Sequence, residues 1–315
     1  MKKYGIVFPG QGSQKVGMGA DLFDSSESAK QKVNYCNSIL KTSIDDICIS
    51  GPQELLTETK NAQPALFLVS VILFDFLIQH KITPTVIAGH SLGELTAYYA
   101  SGALSFENTL NLIRIRGESM SRATAPHTSG MAAVLGMAIE EIQNHLIRYK
   151  NAPVCIANIN CPGQVVISGE KNGLNNAIDV LKSNGAKIIP LPVSGAFHSP
   201  LMKPAQDALE HAISSITFND AQYPIILNQS GNIETKSQHL KNNIPQQVVS
   251  SVQWIKTIEE MTSKCDIIIE CGTGKVLSGL IKKISPSTTT VSISTLDMAA
   301  QFINTHQKEA PCHSH

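Results

Sequence analysis

Short apolar runs closed by glycine- and proline-rich turns alternate along the chain with longer stretches of helical period. Tyr4-Gly5-Ile6-Val7-Phe8 predicts a first strand, and Pro9-Gly10-Gln11-Gly12-Ser13 closes it with a tight loop of exposed backbone amides. A polar helical region follows to about Leu40. After Gly51-Pro52, a short helix leads into Gln63-Pro64 and an apolar helix over Ala65–His80. Thr85-Val86-Ile87-Ala88 predicts a buried strand that runs into Gly89-His90-Ser91-Leu92-Gly93, with a helix over Glu94–Ser101 directly behind. Ser105 is placed to cap the next helix, from about Phe106 to Arg122.

From about Ser129 the pattern changes to short strands alternating with helices: Met131–Leu135, a helix over Ile139–Tyr149, Val154–Asn158, Gln164–Ser168, a helix over Asn172–Asn184, and Lys187–Pro192. That order, β-α-β-β-α-β, is the ferredoxin-like unit. It predicts a small domain over 126–193, inserted into a larger one made of 1–125 and 194–307. Signals of both kinds then resume through Ile225–Asn228, a helix near Gln253–Thr262, the strand Asp266–Glu270 and a helix opening at Gly274-Lys275. The tail, 308–315, reads as frayed and disordered.

Composition narrows the function classes. With 42% hydrophobic and 16% charged residues, the chain suits a well-packed globule and is too poor in charge for a disordered one. Its 25 basic residues balance 25 acidic ones without a basic run that could neutralise a phosphate backbone, so nucleic acid is not an expected partner. The apolar stretch from Ala65 to Ile78 is interrupted by Ser70 and Asp75 and is too short to span a bilayer, and the N-terminus has no signal-peptide pattern. Seven cysteines at spacings that match no zinc or redox motif read as reduced thiols. The expectation is a cytoplasmic protein without a metal site.

Gly89-His90-Ser91-Leu92-Gly93 has the Gly-x-Ser-x-Gly form between a strand and a helix. This context predicts an elbow whose flanking glycines permit a strained turn and expose the serine hydroxyl. The helix that begins there turns its amides and dipole toward Ser91, favouring negative charge on a reacting oxygen. A serine nucleophile also needs a base to take its proton. His90 adjoins Ser91, where neighbouring side chains diverge, and His80, His145, His211 and His239 lie in helical or polar stretches. His198 differs, because it sits in the Gly- and Pro-punctuated segment Val193-Ser194-Gly195-Ala196-Phe197-His198-Ser199-Pro200, directly after the insertion. These residues alone leave hydrolase and transferase chemistry both open.

Several blocks in order carry a resemblance: Phe8-Pro9-Gly10-Gln11-Gly12-Ser13-Gln14, Gln63-Pro64-Ala65, Gly89-His90-Ser91-Leu92-Gly93-Glu94, Arg116-Gly117, Gly130-Met131-Ala132-Ala133, Ala196-Phe197-His198-Ser199, Val252-Gln253-Trp254 and Gly274-Lys275-Val276-Leu277. Over about residues 4–295 the chain resembles the malonyl-CoA:acyl carrier protein transacylases, the malonyl-loading enzymes of dissociated fatty acid synthesis. The resemblance implies an α/β fold, an α/β-hydrolase-like large domain with an inserted ferredoxin-like small domain. It puts Ser91 on the family's nucleophile, His198 on its general base and Arg116 on the arginine that pairs with the malonyl carboxylate. A planar guanidinium suits that task, because it can hold a carboxylate in a two-pronged fork. Gln11 and Leu92 fall on positions whose backbone N–H groups form the oxyanion hole. Gln247 falls on a glutamine whose segment offers the histidine a main-chain carbonyl, and Phe197 on a residue that leaves little room for a methyl branch beside the carboxylate.

The implied reaction carries a malonyl group from malonyl-CoA, through a malonyl-serine, to the phosphopantetheine thiol of acyl carrier protein. The implied enzyme is a monomer that uses no cofactor and no metal. Malonyl loading of a polyketide synthase would use the same residues, and an esterase or thioesterase could use the same elbow but would gain nothing from Arg116. Ser251 and Thr273 depart from the pattern, since proline is usual at both. Those departures concern loop rigidity, and they leave the placement of Gln247 less fixed.

Overall fold

The structure is a computed structural model that describes residues 2–125, 127–147, 154–193 and 195–307. The tail over 308–315 and the end of the helix expected to reach Tyr149 lie outside the described residues. In chain order the strands are β1 (Tyr4–Phe8), β2 (Pro84–Gly89), β3 (Ser129–Leu135), β4 (Val154–Cys161), β5 (Gln164–Glu170), β6 (Lys187–Pro190), β7 (Ile225–Ile226), β8 (Ile233–Glu234), β9 (Ile267–Cys271) and β10 (Thr289–Ile293).

Six of these form the main sheet in the order β10-β9-β1-β2-β7-β8, with every pairing parallel except that of β7 with β8. Parallel strands covered on both faces read as continuous apolar runs, as β1 and β2 do. Alternation along them divides the side chains between two cores. Ile6, Phe8 and Ile87 enter the larger one, while Val7, Val86 and Ala88 enter the other. β1 and β2 lie side by side at the middle of the sheet, so the loops at their carboxyl ends meet where open α/β sheets commonly place their sites.

The other four strands form an antiparallel-paired sheet in the order β4-β5-β3-β6. Helices Ile139–Leu146 and Lys171–Ser183 cover one of its faces, packing Ile142, Leu146, Leu174 and Leu181 on Val134, Val165 and Ile167. This is the ferredoxin-like arrangement. The opposite face, with Met131, Ala133, Ala157 and Val166, joins the larger core of the main sheet. A short parallel bridge ties the small sheet to the segment before helix Trp254–Thr262: Val252 N–H donates to Ala157 O and Ile159 N–H to Val252 O, each at 2.9 Å.

The long apolar helix begins earlier than its pattern predicts, at Thr59, and runs to Gln79 with Pro64 inside it. Proline cannot bond the Lys60 carbonyl, which is why pattern reading stops a helix there. Two features keep the first turn helical: Asn61 and Ala62 N–H groups both bond Glu58 O at 2.8 Å, and Asn61, Ala62 and Gln63 are buried. At 21 residues this helix is long and apolar enough to cross a membrane, a correction to the shorter stretch read from sequence, but most of it is packed inside the molecule. The structure adds helices Lys203–Ser214 and Leu296–Gln307 and the partly polar edge strand β10 to the elements that the sequence pattern predicts. Cys36, Cys48, Cys155, Cys161, Cys265 and Cys271 are free thiols.

Candidate active site

β2 ends at Gly89, and the helix Leu92–Ala100 starts three residues later. Ser91 makes the turn with φ 54° and ψ −105°, a left-handed conformation that costs a non-glycine residue on the order of 1–3 kcal/mol. The flanking glycines are required by space. A Cβ on Gly89 would lie 1.9 Å from the Gly93 carbonyl carbon, and one on Gly93 would lie 2.1 Å from Phe8 O. Helix and strand therefore approach more closely than any side chain permits, and the turn lifts Ser91 into a half-exposed position.

His198 reaches this hydroxyl from the segment after the insertion. Its Nε2 lies 2.7 Å from Ser91 Oγ, and its Nδ1 lies 3.0 Å from Gln247 O and 3.1 Å from Ser250 O. Both Nδ1 partners are carbonyls, which can only accept, so the proton is assigned to Nδ1 and the Nε2 lone pair faces the serine. Burial, then the nearby Arg116 charge, lower the His198 pKa to about 3, against the opposing pull of its two carbonyl partners. The imidazole is accordingly neutral at ordinary pH.

Arg116, on the helix Phe106–Arg122, is only 1% exposed. Its Nη1 donates to Gln63 Oε1 at 2.9 Å, and its Nη2 to Gln247 Oε1 and Ser91 Oγ, each at 3.0 Å. All of these partners are neutral. Nε has no partner, and no carboxylate among the described residues forms a salt bridge with this guanidinium. Burial lowers its pKa to about 10, with Glu94 pulling the other way, so it stays charged. A buried cation without a counter-ion in contact is costly, and it marks a place for an anion.

The structure thus gathers Ser91, His198, Arg116 and Gln247 into one hydrogen-bonded group. Gln247 reaches it through the helix Ser237–Gln247 and also donates to Ser91 O at 2.7 Å. Gln11 follows Gly10, where an added Cβ would lie 2.4 Å from His90 O, so the β1 loop lies directly against the elbow. The Gln11 side chain bonds Thr59 Oγ1, while neither its backbone N–H nor that of Leu92 bonds any described residue. Phe197 is buried in the larger core with its ring edge toward Gly195. His90 points away from the serine toward Asn160 Oδ1 at 2.9 Å and packs against Trp254.

Sequence reasoning missed the outer residues. Asn228 brackets the elbow, accepting from Ser91 N–H at 2.7 Å and donating to Gly89 O at 2.6 Å. Gln63 was visible only as part of a motif, and Asn243 and Asn160 carried no signal. Ser251, at a position where proline is usual, donates its hydroxyl to Ile156 O and so adds to the tie between its segment and β4. Thr273 is buried with its hydroxyl against Met18 Sδ. Neither departure disturbs the contacts of Gln247.

A profile of the family described as acyl transferase domain matches residues 6–298. The chain belongs to the malonyl CoA-acyl carrier protein transacylase family. It is 39% identical to the Bacillus subtilis malonyl CoA-acyl carrier protein transacylase, across 98% of this chain and all of that one. Among solved structures, an acyl carrier protein S-malonyltransferase from Vibrio cholerae superposes with a TM-score of 0.91 at 36% identity, covering 95% of this chain and 99% of its own. A malonyl-transacylase held in complex with its type II polyketide synthase acyl-carrier protein matches with a TM-score of 0.91 at 33% identity, over 96% and 99% of the two chains. This member of the family has no group of three or more metal-ligating side chains among its described residues.

Proposed function

We propose that this enzyme is an [acyl-carrier-protein] S-malonyltransferase, transferring malonyl from malonyl-CoA to the phosphopantetheine thiol of acyl carrier protein for fatty acid synthesis. The observation that carries this reading is Arg116, a buried guanidinium 3.0 Å from Ser91 Oγ with only neutral partners. An acyl group whose far end bears a carboxylate supplies the missing anion and is oriented by it.

In the first half-reaction, the Ser91 Oγ proton passes to His198 Nε2 as Oγ attacks the thioester carbonyl carbon. The Gln11 and Leu92 N–H groups hold the resulting oxyanion. The tetrahedral adduct collapses, the C–S bond breaks, and coenzyme A leaves with the proton from His198. The carrier thiol then gives its proton to His198 and attacks the malonyl-serine ester, and Ser91 Oγ takes that proton back. Malonyl binding also strengthens the base: a carboxylate on Arg116 offsets the charge that helps hold the His198 pKa down. Phe197, adjoining His198, limits the space beside the malonyl α-carbon. Each step is acid–base and nucleophilic chemistry that requires no cofactor.

The division we propose is a catalytic domain of 1–125 and 194–307 around a small domain of 126–193, acting as a cytoplasmic monomer. Faster transfer to the carrier protein of fatty acid synthesis than to that of a polyketide synthase is the expected result, and the reverse preference would move the enzyme to polyketide loading. Incubation with malonyl-CoA alone should add one malonyl group to the peptide that contains Ser91, read by mass mapping, with little further coenzyme A release until carrier protein is added. Sustained rapid release without carrier would make the enzyme a thioesterase. Arg116→Ala should slow malonyl transfer by about 100-fold or more, the effect expected for a lost charged pair in a dry site. Acetyl transfer should change by less than about tenfold, because acetyl has no carboxylate. Equal losses on the two donors would remove the carboxylate role.

A further inference from the structure

Glu94 lies in the first turn of the elbow helix and is 1% exposed, yet it takes no part in the steps above. Its Oε2 accepts the backbone N–H of Asn228, and its Oε1 accepts Asn243 Nδ2 at 2.7 Å. Asn228 in turn holds both ends of the Gly89–Ser91 turn with its side chain, and its carbonyl accepts Gln253 N–H at 2.7 Å. Gln253 follows closely on Ser250, whose carbonyl supports His198. One residue, Asn228, therefore stands between the strained nucleophile and the segment that orients the base, and a buried carboxylate anchors it.

We propose that Glu94, acting through Asn228, is a positioning residue that holds Ser91 in its left-handed conformation and in register with His198. The proposal rests on the reading of Ser91 and His198 as nucleophile and base. The hydrogen bonds favour the ionised carboxylate, because each oxygen accepts from a donor and protonation of Glu94 weakens the hydroxyl oxygen as an acceptor. Burial raises its pKa to about 7 against the stabilising pull of Asn228, Asn243, Arg116 and Gln247. Among the other groups around the elbow helix, His90 is held below its ordinary pKa by burial and faces Asn160, and Glu234 is bonded by His239. Arg116 approaches from its own helix, Tyr98 bonds Leu240 O and Asn243, and Asp75 is taken up by Tyr99 and Lys32. β1 and β2 contribute no charged side chain. His198 is already neutral through the same pH range. The clamp consequently loosens as pH falls through about 7.

The test is the rate at which a fluorophosphonate probe labels Ser91 in the full chain between pH 5.5 and 9, run beside malonyl-enzyme formation. The probe reports nucleophile positioning without needing malonyl recognition. If the probe labels Ser91 but malonyl-CoA leaves no adduct, the transfer reading fails and the positioning role is still decided by the probe. In the wild type, labelling should fall on the acid side of about pH 7. The near-isosteric Glu94→Gln should label about tenfold more slowly, with that acid limb gone and the KM for malonyl-CoA unchanged. Asn228→Ala should lose about 100-fold, the penalty of a displaced reacting group. A wild-type profile flat across this range, or a Glu94→Gln enzyme with the wild-type rate and limb, overturns the proposal. The wild-type profile requires no substitution, so the result stands even if a variant fails to fold.

Discussion

Replacing Ser91 with alanine should abolish malonyl transfer, lowering the rate at least about 10⁴-fold and leaving no malonyl on the protein. Intact-mass measurement after incubation with malonyl-CoA checks the adduct, and coenzyme A release in the presence of carrier protein checks turnover. The loss should be chemical and not structural. Alanine meets the same backbone penalty at φ 54° as serine does, and the bonds from Asn228 and Gln247 to the Ser91 peptide use main-chain atoms that the variant keeps. Arg116 Nη2 loses one acceptor and retains Gln247. Unfolding free energy should therefore move by no more than about 1 kcal/mol. The Cys155 thiol faces the His198 carbonyl, not its ring, and burial raises its pKa to about 11, so it is not a thiolate at neutral pH. An adduct that persisted on the alanine variant would move the nucleophile elsewhere in the chain.

The parts of this site differ in how far sequence reveals them, and the difference follows from the range of the interactions. The elbow is local: strand, Gly-x-Ser-x-Gly and helix are contiguous, and the close approaches at Gly89 and Gly93 involve neighbours in that one unit or the adjoining β1. His198 stands out because a glycine and a proline punctuate its segment. Arg116 is different, since an arginine on an amphipathic helix normally faces water, and only the resemblance gave it a role. Its burial depends on Gln63 and Gln247, 53 and 131 residues away in the chain. Asn228 acts on Ser91 across 137 residues, and Glu94 on Asn243 across 149. Such polar pairs have no period and no composition, so they become visible only when the fold brings them together. The same holds for the long helix, where Pro64 signals a boundary locally and burial of the turn around it overrides that signal. The ferredoxin-like insertion was legible because its six elements are short, regular and consecutive.

Replacing His198 with alanine should slow malonyl-enzyme formation by about 10⁴-fold at neutral pH, with little effect on malonyl-CoA binding. Single-turnover rates measured at saturating donor separate the two. A near-normal rate would require a different base, and among the described residues the neighbouring His90 is turned away, toward Asn160 and Trp254. The variant should also change how stability depends on pH. In the wild type the folded-state pKa of His198 is held at about 3, below its ordinary 6.5, by burial and then by Arg116. The unfolded chain therefore takes up the proton first as pH falls, and the stability present above pH 6.5 is lost progressively toward pH 3. Glu94 works in the opposite sense. Its folded pKa of about 7 lies above the ordinary 4.5, so its contribution is full below pH 4.5 and is lost as pH rises through 7. Between pH 6.5 and 4.5 the two slopes oppose each other in the wild type. Removing His198 leaves the Glu94 slope unopposed, so the alanine variant should gain stability relative to the wild type on going from pH 7 to pH 5. Urea midpoints at those two pH values measure it, and parallel shifts in both proteins would show that the displaced His198 pKa does not govern acid stability.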